Sequence, residues 1–172
     1  MLIGCLLASI DEEEEVEPQQ AVETVTYLTD YELSQLYSVS DDERIKGNII
    51  EMTYPEAQLL LQVARQEGGE TLIGQLWVMR TIINRVECDE RDFGDTIGEV
   101  IFGEGQFEVV IKGTYLEADV NDNSHLALAA LEGGWDETKG ALFFESNSNS
   151  KDSWHSKNLT FIKEVEGNRY YR

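Results

Sequence analysis

Basic residues are scarce in this chain. Its 172 residues include 13 Lys and Arg against 34 Asp and Glu, which gives a formal net charge of −21 at pH 7. Contacts to phosphate groups need clustered Lys and Arg, so this composition argues against unassisted binding to nucleic acid. The same charge opposes docking on an anionic membrane surface.

Cysteine and histidine are also few, with two of each in the whole sequence. Neither His125 nor His155 has a Cys nearby, and no spacing typical of a zinc site is present. We therefore predict neither a metal site nor a cofactor. If Cys5 belongs to a targeting segment, Cys88 is an unpaired thiol and no structural disulfide is expected.

The apolar run at the start is too short to span a bilayer. Residues 1–10 read MLIGCLLASI, whereas a membrane helix needs about 20 apolar residues. We interpret this run as a remnant of an export signal. Residues 2–5 resemble a bacterial lipoprotein processing site, so contact with a membrane is expected only through such an N-terminal anchor.

A strongly acidic segment follows, from residue 11 to residue 51. It holds thirteen Asp and Glu against Arg44 and Lys46. Because such a segment repels itself and has little to bury, it is predicted to be a largely disordered linker, with one short helix at residues 31–37. The globular domain is predicted at residues 52–172.

The stretch from Thr53 to Val86 contains two amphipathic helical patterns on either side of a Gly68-Gly69 break. Thr53 and Glu56 form a capping-box signal at the start of the first helix. The second helix is predicted from Thr71 to Val86, with an apolar stripe that is typical of a core.

Glu67 stands at the end of the first of these helices. It follows Leu60, Val63 and Ala64 at helical spacing, so its carboxylate shares the face that must pack inward. Burial disfavours the charged form, which would raise the pKa of the carboxyl and leave it able to donate a proton. The alternative is a solvated Glu before a glycine C-cap.

The rest of the domain mixes helices with a few strands, so the fold class is α+β. A helix is predicted at residues 95–101, a turn at 103–107 that leads into an extended stretch, and a helix at 125–132 that follows an Asn121 cap. His125 is expected to be exposed. Strands are predicted at residues 141–145, 159–165 and 168–171, with a tight turn at Glu166-Gly167 and a polar loop at 146–158.

An ordered set of short motifs is spread over residues 53–172. The set comprises Glu67 with Gly69-Glu70, Gly74-Gln75, Ile83-Asn84-Arg85-Val86, Val100-Ile101-Phe102, Gly105-Gln106-Phe107, Asp136 with Thr138, Gly140-Ala141-Leu142-Phe143-Phe144, Ser153-Trp154 and Gly167-Asn168-Arg169-Tyr170-Tyr171. In order and rough spacing, the chain resembles the cell wall hydrolases of the spore cortex-lytic (SleB/CwlJ) type.

The resemblance implies a small lysozyme-like α+β domain, with a short antiparallel sheet near its C-terminal end, that acts on the glycan strands of peptidoglycan. It matches Glu67 to the catalytic glutamate of the family. The family usually has two residues between that glutamate and the Gly-Glu pair, whereas only Gly68 intervenes here. An alignment without a gap would instead put Gln66 in the catalytic place; we prefer Glu67 because the helix then keeps its register.

Other site residues follow from the same resemblance. Gln106, Phe144, Ser146 and Trp154 are candidates for substrate binding, with core packing as the alternative for the two aromatic residues. At Glu145-Ser146 the chain departs from the family, which often has an aromatic residue followed by Asn and Pro. Supporting roles are expected for the three residues Glu70, Asn84 and Arg85.

The expected chemistry is that of a lytic transglycosylase, for which one acid is enough; a muramidase would need a second carboxylate, for example Glu70 or Glu104. Two alternatives are a wall-binding module without activity and an acidic interaction protein that acts through its N-terminal region. We expect a monomer that is extracytoplasmic or secreted, with a phage-encoded lysis protein as the alternative.

Overall fold

The computed structural model describes residues 50, 52–149 and 151–172. The export-signal remnant, nearly all of the acidic linker and the short helix expected at residues 31–37 lie outside the described residues. Within the described part, we find no helix that combines the length and the apolar character needed to cross a bilayer.

Six α-helices, one 3₁₀ helix and three strands follow one another along the described chain. In order they are α1 (Tyr54–Gly68), α2 (Leu72–Val86), α3 (Ile97–Phe102), α4 (Glu108–Ile111), the 3₁₀ helix (Thr114–Glu117), α5 (Asp122–Glu132), β1 (Phe143–Ser146), α6 (Trp154–Asn158), β2 (Phe161–Val165) and β3 (Asn168–Tyr171). The α+β class, with helices first and a small sheet near the C-terminal end, is confirmed.

The first two helices begin where their caps predict. At the start of α1 the Thr53 backbone N–H donates to Glu56 Oε2 at 2.9 Å, which is the carboxylate half of the capping box. Thr71 caps α2 by accepting from the backbone N–H of Gly74 at 3.2 Å. The prediction for this helix pair is confirmed.

Gly68 and Gly74 let the end of α1 approach the first turn of α2. A Cβ placed on Gly68 would lie 2.6 Å from the Gly74 carbonyl oxygen and 2.7 Å from Gln75 Cα. Both neighbours are backbone atoms, which cannot rotate away as a side-chain tip can. This close contact fixes the position of the helix end that carries Glu67.

The three strands form an antiparallel sheet in the order β1-β3-β2. Phe144 pairs with Tyr170 and Ser146 with Asn168 across β1 and β3. The predicted tight turn between β2 and β3 is confirmed, since Glu166 and Gly167 both have positive φ, 45° and 84°. A bulge at Phe161/Lys163 interrupts the register of β2.

The main core lies among the helices, and a smaller cluster joins α2 to the sheet. The smaller cluster consists of Trp77, Ala141, Val165 and Tyr170. Its centre is the Trp77 ring, whose centroid is 4.8 Å from that of Tyr170. Because Trp77 lies in α2 and Tyr170 in β3, this contact sets the distance between helix and sheet.

Two predictions of non-helical segments are wrong. The segment after Phe107 is not extended but forms α4, in which the carbonyl of Phe107 accepts from Ile111 N at 3.1 Å. Val109 and Val110 favour strands by propensity, but packing against the helical core overrides that preference. The polar loop at residues 146–158 contains α6, which the side chain of Ser153 caps by accepting from Ser156 N.

Smaller differences concern element ends. The helix expected at residue 125 begins at Asp122, after the Asn121 cap, and His125 is exposed as expected. Strand β1 begins at Phe143 rather than 141, although Leu142 N still donates to Tyr171 O at 2.9 Å. Such differences of a residue or two are common at the ends of elements.

The contact between Gly68 and Gly74 generates a stability prediction. Gly68→Ala should lower the free energy of unfolding by about 1–3 kcal/mol, since the added methyl group overpacks a backbone contact. Urea denaturation followed by tryptophan fluorescence measures the change.

Gly98→Ala is the matched control for this substitution. Gly98 also lies in a helix, but its added Cβ would meet only Thr96 Oγ1, at 3.9 Å. This variant should be neutral or slightly more stable, because alanine favours helices over glycine. Equal stability of the two variants would contradict a tight helix contact at Gly68.

Candidate active site

Glu67 lies in the last turn of α1, on the face that packs inward. Leu60, Val63 and Ala64 on the same face are completely buried, and the Glu67 side chain is partly buried. Gln66, one residue earlier, is exposed. The helix therefore turns Glu67 towards the interior and Gln66 towards solvent.

The surroundings of Glu67 shift its acidity. Burial raises the pKa of the Glu67 carboxyl above its ordinary value; a hydrogen bond from the backbone N–H of Val109 opposes the shift, the negative charge of Glu108 adds to it, and the cation of Arg85 opposes it. Burial prevails, so the protonated form of Glu67 persists to higher pH than in a solvated glutamate.

The positive charge of Arg85 lowers the pKa of Glu67. Arg85 is itself buried, with 5% of its surface exposed. Its Nε donates to the Leu142 carbonyl at 2.7 Å and its Nη1 to Gln106 Oε1 at 3.0 Å. Burial lowers the pKa of Arg85 to about 10, against the opposite effect of Glu67. Arg85 therefore stays charged at neutral pH and links α2 to the loop before β1.

Aromatic rings surround the Arg85 guanidinium. Its central carbon lies 5.1 Å from the Phe107 ring centroid, 5.4 Å from that of Phe93 and 5.8 Å from that of Phe143. Such cation–π contacts stabilise a desolvated guanidinium. They also exclude water from the positive charge next to Glu67.

Strand β3 forms the other side of the site. Asn168 Nδ2 donates to the backbone carbonyl of Glu67 at 2.9 Å, which ties the end of α1 to the sheet. The Tyr170 phenol is fully buried, and burial raises the pKa of Tyr170, to which the charge of Glu67 adds. Both side chains therefore belong to the immediate surroundings of Glu67.

Three of the predicted substrate-binding residues lie on the same side of the sheet as Tyr170. Phe144 is partly buried and packs against Tyr170 and Phe107, with ring centroids 5.6 and 6.1 Å away. Ser146 is exposed and pairs in register with Asn168. Gln106 is partly buried and is held through its amide oxygen by Arg85.

Trp154 is not brought to this site. Its ring packs against Phe143, at 6.4 Å between centroids. Successive residues of a strand point to opposite faces of a sheet, so Trp154 lies on the face away from Phe144. Substrate binding by Trp154 stays a prediction, but Trp154 lies on the other face of the sheet from Phe144, which spacing along the chain did not reveal.

The residues with expected supporting roles differ in position. Glu70 is exposed and forms an ion pair with Arg65, while its Oε2 accepts from Asn121 Nδ2 at 3.4 Å. Asn84 is buried and donates to Thr138 Oγ1 at 2.8 Å and to the Ala141 carbonyl at 2.9 Å. The contacts of Glu70 and Asn84 join separate parts of the chain. Of the three residues, Arg85 is the one whose charge acts on the pKa of Glu67.

A separate polar pocket of about 340 Å³ lies beside α2. Arg80 in this pocket contacts Glu87 Oε2 at 2.7 Å and Asp136 Oδ2 at 2.9 Å. Cys88, which forms no disulfide within the described chain, is also part of the lining. No group of three or more potential ligands for a metal ion occurs at residues 50, 52–149 and 151–172.

Sequence reasoning gave no role to four groups that surround Glu67. These are the carboxylate of Glu108, the backbone N–H of Val109, the amide of Asn168 and the phenol of Tyr170. Asn168 and Tyr170 stand in a motif shared with the resembled family, which was a usable signal. Glu108 and Val109 could not be found, because their segment was expected to be extended.

Comparison with solved structures gives matches that share the fold. The catalytic domain of the germination-specific lytic transglycosylase SleB from Bacillus anthracis matches with a TM-score of 0.60 and 24% identity, over 70% of this chain and 97% of that chain. The catalytic domain of the Bacillus cereus SleB protein matches with a TM-score of 0.61 and 24% identity, over 71% and 93%. The likeness confirms the expected lysozyme-like fold.

Among curated proteins, no significant match is found. The family model for cell wall hydrolases matches residues 69–171, which begins two residues after Glu67 and covers most of the described domain. The helices, the three-stranded sheet and the ordered motifs from Gly69 to Tyr171 agree with this match, and the chain belongs to the cell wall hydrolase family.

Proposed function

We propose that this protein cleaves the glycan strands of peptidoglycan as a lytic transglycosylase, with Glu67 as the single acid and base. The observation that carries this proposal is the placement of Glu67: a partly buried carboxyl of raised pKa, beside a buried Arg85, at the junction of helices and sheet. Because the proposed substrate is extracytoplasmic, the proposal includes a location outside the cytoplasm.

The reaction needs one group that first gives and then takes a proton. Glu67 protonates the bridging oxygen between N-acetylmuramic acid and N-acetylglucosamine as the bond from that oxygen to the muramic C1 breaks. The muramic C6 hydroxyl then attacks C1, and its proton passes to the Glu67 carboxylate. An anhydro ring forms, no water is consumed, and Glu67 is protonated again.

The state of the neighbouring carboxylates supports a single-acid scheme. Glu70 is paired with Arg65, and Glu108 with Lys112 at 2.6 Å. A hydrolytic mechanism would need a second carboxylate close enough to activate water or to trap the sugar. Both of these carboxylates are exposed and held by a neighbouring cation, and Glu104 is exposed as well. These positions favour the transglycosylase over the muramidase.

Gln106, Phe144 and Ser146 are proposed to contact the substrate. Because Arg85 engages the amide oxygen of Gln106, the amide nitrogen of Gln106 is the group directed to an acceptor such as an acetamido carbonyl. Phe144 offers a ring edge and Ser146 an exposed hydroxyl on the same side of the sheet. Arg85 orients Glu67 through its charge rather than by touching substrate.

Glu67→Gln should lower the rate of glycan cleavage by about 10²–10⁴-fold, the usual contribution of a general acid. Mass spectrometry of the muropeptides released from purified peptidoglycan measures both rate and product. Products with anhydro-muramic ends are expected from the wild-type chain. Reducing ends in their place would contradict the transglycosylase and indicate hydrolysis.

Gln66→Ala is the matched control, because Gln66 is the neighbouring residue and is exposed. Its activity should stay within about twofold of wild type. Loss of activity in Gln66→Ala together with full activity in Glu67→Gln would overturn the assignment of Glu67. If neither the wild-type chain nor Gln66→Ala releases any product while both remain folded, the wall-binding module without activity is the better description.

The negative charge of Glu108 should shift the pH at which the cleavage rate falls. Activity requires protonated Glu67, so the rate falls as pH rises through the Glu67 pKa. The negative charge of Glu108 raises that pKa; Glu108→Gln should therefore move the falling limb of the pH–rate profile to lower pH.

Glu104→Gln provides the control for that shift. Glu104 is also exposed and lies four residues earlier, but it is not among the groups that shift the pKa of Glu67. Its profile should coincide with that of the wild-type chain. A falling limb that moves to higher pH in Glu108→Gln would contradict the electrostatic assignment.

Stability should also depend on the ionisation of Glu67. A carboxyl whose pKa is raised by folding contributes stability that is present below the unfolded value, about 4.5, and is lost as pH rises through the folded pKa. Glu67→Gln should therefore gain stability relative to wild type as pH rises through that window. Urea unfolding at a series of pH values measures the difference, which should be flat for Gln66→Ala.

A further inference from the structure

The face of the sheet opposite Glu67 carries a band of aromatic rings. It runs from Trp154 through His155 and Tyr171 to Phe161, with ring centroids 5.5, 5.9 and 5.8 Å apart in turn. Phe143 lies beside its first half, 6.0 Å from His155. We call Trp154, His155, Tyr171 and Phe161 the aromatic band; Phe143 also contacts the Arg85 guanidinium and is not counted in it.

The two ends of the aromatic band are exposed to solvent, whereas Tyr171 in its middle is buried. Trp154 is 59% exposed and Phe161 is 55% exposed, whereas Tyr171 is buried. Tyr171 is held by its hydroxyl, which donates to Glu145 Oε1 at 2.8 Å. The exposed rings therefore rest on a fixed base.

Glu145 fixes the helix that carries Trp154. Its Oε1 accepts from Ser153 Oγ at 2.8 Å and lies 3.1 Å from Arg169 Nη2. Burial acts to raise the pKa of Glu145, but the bonds from Ser153 and Tyr171 and the charge of Arg169 outweigh it and hold the pKa below its ordinary value. Glu145 stays ionised, and α6 stays docked on the sheet.

The band lies in a segment whose acidic and basic residues nearly balance. Residues 143–172 contain five Lys and Arg against four Asp and Glu, whereas the whole chain carries −21. The Arg91 guanidinium carbon lies 5.0 Å over the Phe143 ring, and exposed Lys157 is one helical turn from Trp154 on α6. The segment 143–172 therefore repels an anionic polymer less than the chain as a whole does.

The exposed apolar groups of the band are aromatic. Among the described residues, the large aliphatic side chains with high exposure are Ile111 and Leu116, which lie in α4 and the 3₁₀ helix. A protein partner would need a continuous apolar patch here, because such a patch forms the core of a protein–protein interface. Separate rings between polar and basic groups instead suit sugar units, whose C–H faces pack on rings while their hydroxyl and amide groups stay hydrated.

We propose that the aromatic band is a second binding surface for the glycan strands of peptidoglycan, on the face of the sheet away from Glu67. The rings of Trp154 and Phe161 stack on sugar units, and Arg91 and Lys157 face the carboxylates of the attached peptides. The three strands place these rings on a platform about 10 Å wide. The proposal rests on the proposed function for the identity of the polymer, and the surface holds the enzyme on the wall between cleavage events.

Binding is tested in the full chain with Glu67→Gln, so that the polymer stays intact. Co-sedimentation is measured with purified peptidoglycan and with glycan strands freed of their peptides by an amidase. Trp154→Ala and Phe161→Ala should each weaken binding to both materials by about tenfold, and Trp154→Phe should retain most of it. Thermal unfolding checks that each variant is folded, and Phe161→Ala is independent of the packing of α6.

Tyr54→Ala is the matched control, since Tyr54 is an exposed aromatic residue, at 77%, on the first turn of α1. It should bind as the parent chain does. With Glu67 intact, Trp154→Ala and Phe161→Ala should cleave short soluble glycans at the wild-type rate but insoluble peptidoglycan more slowly.

Unchanged binding in both alanine variants would overturn the proposal. An effect seen only on peptide-bearing material would assign the surface to the peptides, and an equal loss in Tyr54→Ala would show a general effect of removing aromatic residues; either result also overturns it. Ring-dependent binding in a chain that releases no product when Glu67 is intact would support the surface and contradict the proposed reaction alone.

Discussion

The buried guanidinium of Arg85 is the interaction on which the rest of the site depends. A buried cation is stable only if its donors are satisfied and an opposite charge is near. The Leu142 carbonyl, the Gln106 amide and three aromatic rings meet the first condition, and Glu67 meets the second. The loop before β1, the turn before α4 and the end of α1 are thus all held against one side chain of α2.

This arrangement explains how a partly buried carboxyl can still change its protonation state. Burial favours the neutral form of Glu67, whereas the hydrogen bond from the backbone N–H of Val109 and, to a smaller degree, the charge of Arg85 favour the ionised form. These effects oppose each other, so the carboxyl can change its protonation state at moderate cost. A proton donor that must later accept a proton needs this balance more than it needs an extreme pKa.

Local patterns in the sequence predicted the helices and the hairpin well, because caps and turns depend on residues close in the chain. Thr71 before α2 and Glu166-Gly167 between β2 and β3 are examples. The inward placement of Glu67 also followed from helical spacing. By contrast, α4 was missed because tertiary packing overrides the strand preference of Val109 and Val110.

The surroundings of Glu67 could be predicted only in part. The side of the sheet on which Trp154 lies depends on the register of β1 and on the docking of α6, neither of which is encoded by spacing alone. Asn168 reaches Glu67 across 101 residues of chain, and no local pattern reports such a contact. The resemblance to a family supplied these motifs without their contacts.

The order of the strands has a consequence for how the domain folds during synthesis. Strand β3 is the last of the three to be made, yet it lies between β1 and β2 and is the partner of both. Neither earlier strand can pair until β3 is available, and contacts over such long separations form slowly. Most of the helical part is made first, and the carbonyl of Glu67 gains its hydrogen bond from Asn168 only after β3 has been made. The domain therefore matures only after β3 has been made, and a nascent chain that lacks β3 carries Glu67 without the sheet beside it.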